Sequence, residues 1–217
     1  MMSAPTLVSV ANATCRYQQG APMRLPDVHI TYGQHTLLLG ASGTGKTTLI
    51  NVIAGLQKLD SGTVTLDNAP FSTLSAAARD RLRGQKIGLV MQRLHLISAL
   101  SVRANLALAR SLAGLPIDNN LLETTAASLG IHDKLDRLPR QLSQGEAQRA
   151  AIARAVVNQP KLLLADEPTS ALDDANCEAA IRLLLAQAGE HGATLLVATH
   201  DARIKAHFAR VITLDAA

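Results

Sequence analysis

Aromatic residues are almost missing from this sequence. Its 217 residues include two Tyr, two Phe and no Trp, which is 2% of the chain. Proteins that bind single-stranded nucleic acid stack the bases on a series of exposed rings. The scarcity of rings therefore argues against such a function, and no nucleic-acid partner is expected.

Cysteine is scarce as well. Cys15 and Cys177 lie far apart in the sequence and form no CxxC pair. Neither a disulfide scaffold nor a zinc site built from paired cysteines is indicated. The pattern is typical of a reducing compartment and predicts the cytoplasm.

Long apolar runs are also missing. Runs such as residues 37–39 and 162–165 are only three or four residues long, whereas roughly 20 apolar residues are needed to cross a bilayer. Residues 1–5 do not have the pattern of a signal peptide. We therefore expect any role at a membrane to come through a partner.

Neither sign of charge dominates, since 21 Lys and Arg against 17 Asp and Glu give a net charge of +4. This excess permits an anionic partner such as a nucleotide, but an ordinary solvated surface is the simpler explanation. Hydrophobic residues make up 47% of the chain, so it is expected to fold. At about 150 residues per domain, the length suits one large domain or a domain with an inserted lobe.

The order of apolar and helical patterns indicates an α/β fold with a mainly parallel sheet. The sequence predicts a helix at 46–56 and strands at 7–17, 35–40, 86–91, 161–165, 193–199 and 211–214. Apart from its one strand, the stretch 75–158 has helical spacings and predicts a mostly helical insert.

A glycine-rich motif lies between the first predicted parallel strand and the helix that follows it. It fits the phosphate-loop pattern G-x-x-x-x-G-K-[ST] and consists of Gly40, Ala41, Ser42, Gly43, Thr44, Gly45, Lys46 and Thr47. Backbone N–H groups of such a loop surround phosphate oxygens, and the helix N-terminus adds a positive partial charge. We expect Lys46 to reach the β- and γ-phosphates, Thr47 to bind Mg²⁺ and Thr48 to donate to a phosphate oxygen. The alternative is a glycine-rich turn with a solvated lysine.

Two carboxylates follow the apolar run at 162–165. Asp166 and Glu167 come at the carboxyl end of a predicted strand, where ligands of open α/β sheets bind. Neighbouring strand residues point in opposite directions, so the two side chains suit different roles. Asp166 fits a Mg²⁺ shell and Glu167 fits a base for the attacking water. Without a phosphate loop, two exposed loop carboxylates would be a reasonable alternative.

The stretch 142–146, Leu-Ser-Gln-Gly-Glu, followed by Gln148 and Arg149, resembles the signature motif of the ATP-binding cassette (ABC) family. The phosphate loop then resembles the family's Walker A motif, residues 162–166 its Walker B motif and residues 170–173 its D-loop. Gln92 matches the Q-loop glutamine, His200 the switch histidine, and Tyr17 the aromatic residue that stacks on adenine. The resemblance covers essentially the whole chain, with the motifs in the family's order.

The resemblance implies one nucleotide-binding domain over residues 1–217. Its P-loop NTPase core would span about 1–74 and 159–217, with a mainly parallel sheet and an N-terminal antiparallel β portion, and its helical lobe about 75–158. Catalytic roles are implied for Glu167, His200 and Lys46. Nucleotide-binding roles are implied for Tyr17, Gly40, Ala41, Ser42, Gly43, Thr44, Gly45, Lys46, Thr47, Thr48, Gln92, Ser143 and Gly145, and Mg²⁺-binding roles for Thr47, Gln92 and Asp166.

The signature departs from the family's commonest form, LSGGQ. Gln144 replaces the first glycine and Glu146 replaces the glutamine, while Ser143 and Gly145 are kept. Ser143 and Glu146 fit an S-x-x-E capping box at the start of a helix, which places a second helix N-terminus where it can meet a phosphate. A cap that serves stability alone is the alternative.

Two assignments depend mainly on the resemblance. Taken alone, Tyr17 would more often be a half-buried strand residue and Gln92 a surface glutamine. His200 has additional support because it follows a predicted strand and so lies on the same sheet edge as Asp166. A structural histidine remains the alternative there.

Each motif occurs once, and the resemblance implies that two chains close head to tail around two ATP molecules with Mg²⁺. The expected function is the ATPase subunit of a membrane transporter, bound at the cytoplasmic face of the inner membrane and most similar to the lipoprotein-releasing, macrolide-exporting and cell-division group. A cassette that regulates a membrane complex, and a soluble cassette acting on DNA or ribosomes, are the alternatives. By resemblance the segment from Gln92 to Leu100 meets the membrane subunit; packing within the helical lobe is the other explanation for its apolar side chains.

Overall fold

The structure is a computed structural model, and it describes residues 5–16, 22–170 and 172–214. We number its strands β1–β9 and its helices α1–α6 along the chain. Among the described residues, none of the helices has the length and apolar character that would be needed to span a membrane.

A five-stranded sheet forms the centre of the fold, with all strands parallel and in the order β6-β7-β8-β4-β9. Its strands are β4 (Thr36–Gly40), β6 (Ile87–Val90), β7 (Leu162–Asp166), β8 (Thr194–Thr199) and β9 (Arg210–Leu214). β7 and β8 are buried along their whole length, which is why their sequences are continuous apolar runs rather than alternating patterns. The predicted α/β class with a mainly parallel sheet is confirmed.

A second, antiparallel sheet covers one face of the molecule, as predicted for the N-terminal part. Its strands are β1 (Thr6–Cys15), β2 (Met23–Arg24), β3 (Val28–Thr31) and β5 (Ser61–Leu66). β1 pairs with each of the other three. Tyr17 lies outside the described residues.

The described residues also form six α-helices. They are α1 (Lys46–Ile53), α2 (Ala76–Lys86), α3 (Val102–Leu112), α4 (Asn119–Ser128), α5 (Gln144–Val156) and α6 (Asp174–Glu190). The sequence patterns gave no prediction for α6, and α1 ends three residues before the predicted 56.

The strands of the parallel sheet supply side chains to two separate cores. Leu162 and Leu164 pack with α1 and the antiparallel sheet, whereas Leu163 and Ala165 pack with α3, α4, α5 and α6. This alternation follows from the two-residue period of a strand. The result is a three-layer molecule with the parallel sheet in the middle.

The strand predicted at 86–91 lies in the parallel sheet, although its residues fall in the stretch 75–158 that the sequence assigned to a helical lobe. This strand, β6, is an edge strand paired with β7. Gly88 explains the placement: a Cβ there would lie 2.3 Å from the carbonyl oxygen of Ala155, so only glycine lets β6 pack directly against α5. The sheet therefore takes one strand from the middle of this stretch.

Candidate active site

The carboxyl ends of four parallel strands converge on one edge of the sheet. The phosphate loop follows β4 and Gln92 follows β6. Asp166 ends β7, Glu167 comes directly after it, and His200 follows β8. A cavity of about 320 Å³ opens there. It is lined by Met23, Ser42, Gly43, Gly45, Lys46, Thr47, Thr48, Gln92, Glu167 and His200.

The phosphate loop lies at this cavity as the motif predicts. Gly45 is the N-cap of α1, with a φ of 90° that favours glycine, and no side chain caps the helix. The first N–H groups of α1 therefore have no side-chain acceptor of their own and point toward the cavity end of the helix, which suits an anion. Met23 also lines the cavity, and no sequence motif had indicated it.

Lys46 is held in place at the wall of the cavity. Its side chain is 5% exposed, and Nζ donates to the carbonyl oxygens of Gly40 at 2.8 Å and Ala41 at 2.9 Å. Nζ also lies 3.6 Å from Oε1 of Glu167. The ammonium group is thus fixed between the loop and the carboxylate.

Asp166 is suited to a cation. It is 4% exposed, and its Oδ1 is buried without a hydrogen-bond partner. Burial raises the pKa of this carboxyl, the neighbouring Glu167 raises it further, and the side chains of Thr47 and Lys46 act in the opposite direction. A hard divalent cation would supply the missing partner, so the residues present fit Mg²⁺ held by Thr47 and Asp166. Gln92 lines the same cavity as Thr47.

Glu167 is held by contacts from three directions. Its φ is 49°, a left-handed conformation that costs energy for a residue other than glycine, and its N–H donates to the carbonyl oxygen of Ala198 at 2.8 Å. Thr199 Oγ1 donates to Oε2 at 2.8 Å. Nδ1 of His200 lies 3.0 Å from both carboxylate oxygens. Sequence patterns pointed to Glu167 and His200, but not to Thr199.

The signature segment forms the predicted capping box at the start of α5. Ser143 Oγ accepts from the N–H of Glu146 at 3.3 Å, and Glu146 Oε2 accepts from the N–H of Ser143 at 2.7 Å. These hydrogen bonds lower the pKa of Glu146. Lys134, whose Nζ lies 3.4 Å from Oε1 of Glu146, lowers it further. Ser143 and Gly145 are exposed, and neither is among the described residues that line the phosphate-loop cavity. The signature helix end therefore contributes neither Ser143 nor Gly145 to the phosphate-loop cavity of its own chain.

The segment from Gln92 to Leu100 is a fixed loop with mixed exposure. Arg154 donates to the carbonyl oxygens of Leu94 and His95, and Asn105 hydrogen bonds to the backbone at Ile97 and Leu100. Leu96 packs against the helical core, whereas Ile97 is 44% exposed.

Comparisons with known proteins agree with this geometry. Residues 25–170 match the family model described as ABC transporter. The chain is 38% identical to the lipoprotein-releasing system ATP-binding protein LolD of Legionella pneumophila (strain Lens) over 194 residues, which are 87% of this chain and 84% of that protein. It is 39% identical to the macrolide export ATP-binding/permease protein MacB of Escherichia coli O157:H7 over 184 residues, but spans only 28% of that protein.

Two solved structures of one protein have a similar fold. The dimeric structure of MJ0796, a bacterial ABC transporter cassette, superposes with a TM-score of 0.84 at 31% identity, covering 96% of this chain and 94% of that one. The dimeric structure of a post-hydrolysis state of MJ0796 bound to ADP and Pi gives 0.82 at 32% identity, with the same coverage.

Proposed function

The chain belongs to the ABC transporter family and is an ATP-hydrolysing cassette. We propose that two copies of it close head to tail around two Mg-ATP. The observation that carries the proposal is that Ser143 and Gly145 do not line the phosphate-loop cavity of their own chain. Ser143 and Gly145 are exposed at the N-terminus of α5, and a Cβ at Gly145 would meet no atom within 4 Å. A second chain can therefore approach this helix end closely, and a twofold dimer satisfies both sites at once.

In the closed dimer, hydrolysis depends on groups already placed at the cavity. Glu167 accepts a proton from the attacking water, whose oxygen bonds to the γ-phosphorus as the bond to the β–γ bridging oxygen breaks, releasing ADP and phosphate. Lys46 and His200 stabilise the charge on the phosphate oxygens, and Ser143 of the second copy donates to the γ-phosphate. Mg²⁺, when held by Thr47, Asp166 and Gln92, supplies further charge neutralisation.

The dimer is tested by mixing two inactive chains. A Ser143→Arg chain is damaged at the signature and a Lys46→Ala chain at the phosphate loop, so a mixed dimer contains one site with both elements intact. Mixing is expected to restore part of the ATPase activity, with a maximum near equal amounts. Activity that stays near zero at every ratio would contradict the head-to-tail arrangement.

We further propose that the dimer works with integral-membrane permease subunits of an exporter or extraction system, at the cytoplasmic face of the cell membrane. LolD and MacB are named for lipoprotein release and macrolide export, which supports this direction of transport. The docking surface would be the exposed side of the 92–100 loop together with the groove beside it.

That groove has a volume of about 410 Å³ and lies between α2, β6, α3 and α5. Arg154 lines it and also holds the carbonyl groups of Leu94 and His95, so the groove and the loop adjoin. Leu112, on its rim, is 74% exposed. Such apolar surface suits a helix of a membrane subunit, since exposed apolar patches commonly mark interaction sites.

Ile97→Glu tests the docking surface better than a change at Leu96, which packs in the core. The buried charge would have no partner at the contact, so copurification of the membrane subunit with the tagged chain is expected to fall sharply. Ile117→Glu is the matched control, because Ile117 is 57% exposed and is not among the described residues lining the groove. Equal recovery of the partner with both variants would rule out docking at this loop.

A further inference from the structure

The hydroxyl group of Thr199 has two hydrogen-bond partners. Thr199 is the last residue of β8 and is completely buried. Its Oγ1 lies 2.8 Å from Oε2 of Glu167, and the backbone N–H of Asp201 donates to the same Oγ1 at 3.1 Å. Because that N–H occupies Oγ1 as an acceptor and a carboxylate only accepts, the hydroxyl hydrogen is directed at Glu167.

Two other groups face the Glu167 carboxylate, Lys46 and His200. In the proposed mechanism, both also interact with the γ-phosphate. The His200 ring is 54% exposed and can turn toward a phosphate, and Lys46 Nζ lies 3.6 Å from Oε1, which is longer than a hydrogen bond. Thr199 is fixed within the sheet, and the neighbouring Ala198 carbonyl accepts the backbone N–H of Glu167. The end of β8 therefore holds both the backbone and the carboxylate of Glu167.

We propose that Thr199 is a positioning residue, whose hydroxyl holds the Glu167 carboxylate in the orientation that accepts a proton from the attacking water. The inference rests on the base role proposed for Glu167. It assigns to β8 a part in the chemical step that does not depend on contact with ATP.

Thr199→Val removes the hydroxyl and keeps the shape of the side chain. In steady-state ATPase assays of the full chain, we expect kcat to fall by about 10- to 100-fold, the effect of losing one hydrogen bond to a charged group. KM for ATP should stay unchanged, because Thr199 does not line the cavity. Thr199→Ser restores the hydroxyl and should restore most of kcat.

Thr194→Val is the matched control. Thr194 is the first residue of β8, at the opposite end of the strand from Thr199, and is 1% exposed. Its Oγ1 accepts a hydrogen bond from the N–H of Gly33 at 2.9 Å. It therefore measures the cost of losing a buried threonine hydroxyl from β8 away from the site. Its kcat should match the wild type. If Thr199→Val does not fold, as judged by its melting temperature, Thr199→Ala replaces it.

A double-mutant cycle with Glu167→Gln separates this inference from the proposed function. If Thr199 acts through Glu167, adding Thr199→Val to Glu167→Gln should cause no further loss in single-turnover rate. Wild-type kcat in Thr199→Val, an equal loss in Thr199→Ser or Thr194→Val, or a full additional loss in the double variant would each overturn the positioning role. Wild-type activity in Glu167→Gln alone would instead overturn the proposed role of Glu167.

Discussion

Replacing Glu167 with glutamine exchanges one carboxylate oxygen for an NH₂ group in a well-defined environment. Both carboxylate oxygens face donors: Thr199 and His200 at Oε2, and Lys46 and His200 at Oε1. An amide accepts through one end only, so its NH₂ group would point at a donor whichever way it is turned. It also cannot take a proton from water, and general-base catalysis contributes about 10²- to 10⁴-fold. We therefore expect hydrolysis by Glu167→Gln to fall by a factor in that range.

Nucleotide binding should behave differently from turnover in this variant. The phosphate loop and Asp166 are untouched, and a negative charge close to the phosphates is removed. ATP affinity measured by calorimetric titration should therefore be equal to or tighter than that of the wild type.

The matched control is Glu178→Gln, which neutralises a surface glutamate on α6 that pairs with Arg182 and His207, and should leave the rate unchanged. Near-normal phosphate release by Glu167→Gln with ATP bound would refute the base assignment.

Two further changes test other parts of the site. Lys46→Ala should weaken ATP binding itself, because the ammonium group that Gly40 and Ala41 hold at the cavity is lost; an unchanged dissociation constant in a calorimetric titration would count against the phosphate-loop assignment. Glu146→Gln should lower the melting temperature at neutral pH, because the depressed pKa of Glu146 means that its ionised form stabilises the fold. That contribution is present above the ordinary glutamate pKa of 4.5 and disappears as the pH falls through the depressed value. The two melting curves should converge in acid, and a constant difference at every pH would contradict the capping role.

The residues of the phosphate-loop cavity could be predicted well from the sequence because strand ends carry positional information. Lys46, Glu167 and His200 each follow an apolar run, and the carboxyl ends of parallel strands share one edge of the sheet. Local patterns were therefore enough to place them together. The capping box of Ser143 and Glu146 is equally local, since it depends on residues three apart.

Features that depend on packing between distant segments could not be predicted. The apolar stretch Ile87–Val90 could be predicted as a strand, but its sequence does not show that it pairs with β7 or that Gly88 packs closely against Ala155. Nothing in the local pattern distinguishes Leu96, which packs in the core, from the exposed Ile97. The hydrogen bond from Thr199 to Glu167 spans 32 residues, and no periodicity encodes it.

The strand order has a consequence for how the molecule folds during synthesis. β4, which leads into the phosphate loop, lies between β8 and β9, and the hydrogen bond from Leu195 to His35 beside it spans 160 residues. On the ribosome the antiparallel sheet can form early, because β1, β2, β3 and β5 all belong to the first third of the chain. β4 has no neighbouring strand until nearly the whole chain has emerged, and closing so long a loop is slow. The edge of the sheet that binds ATP is therefore among the last parts to assemble, and translation of the C-terminal strands limits when a nascent chain can first bind nucleotide.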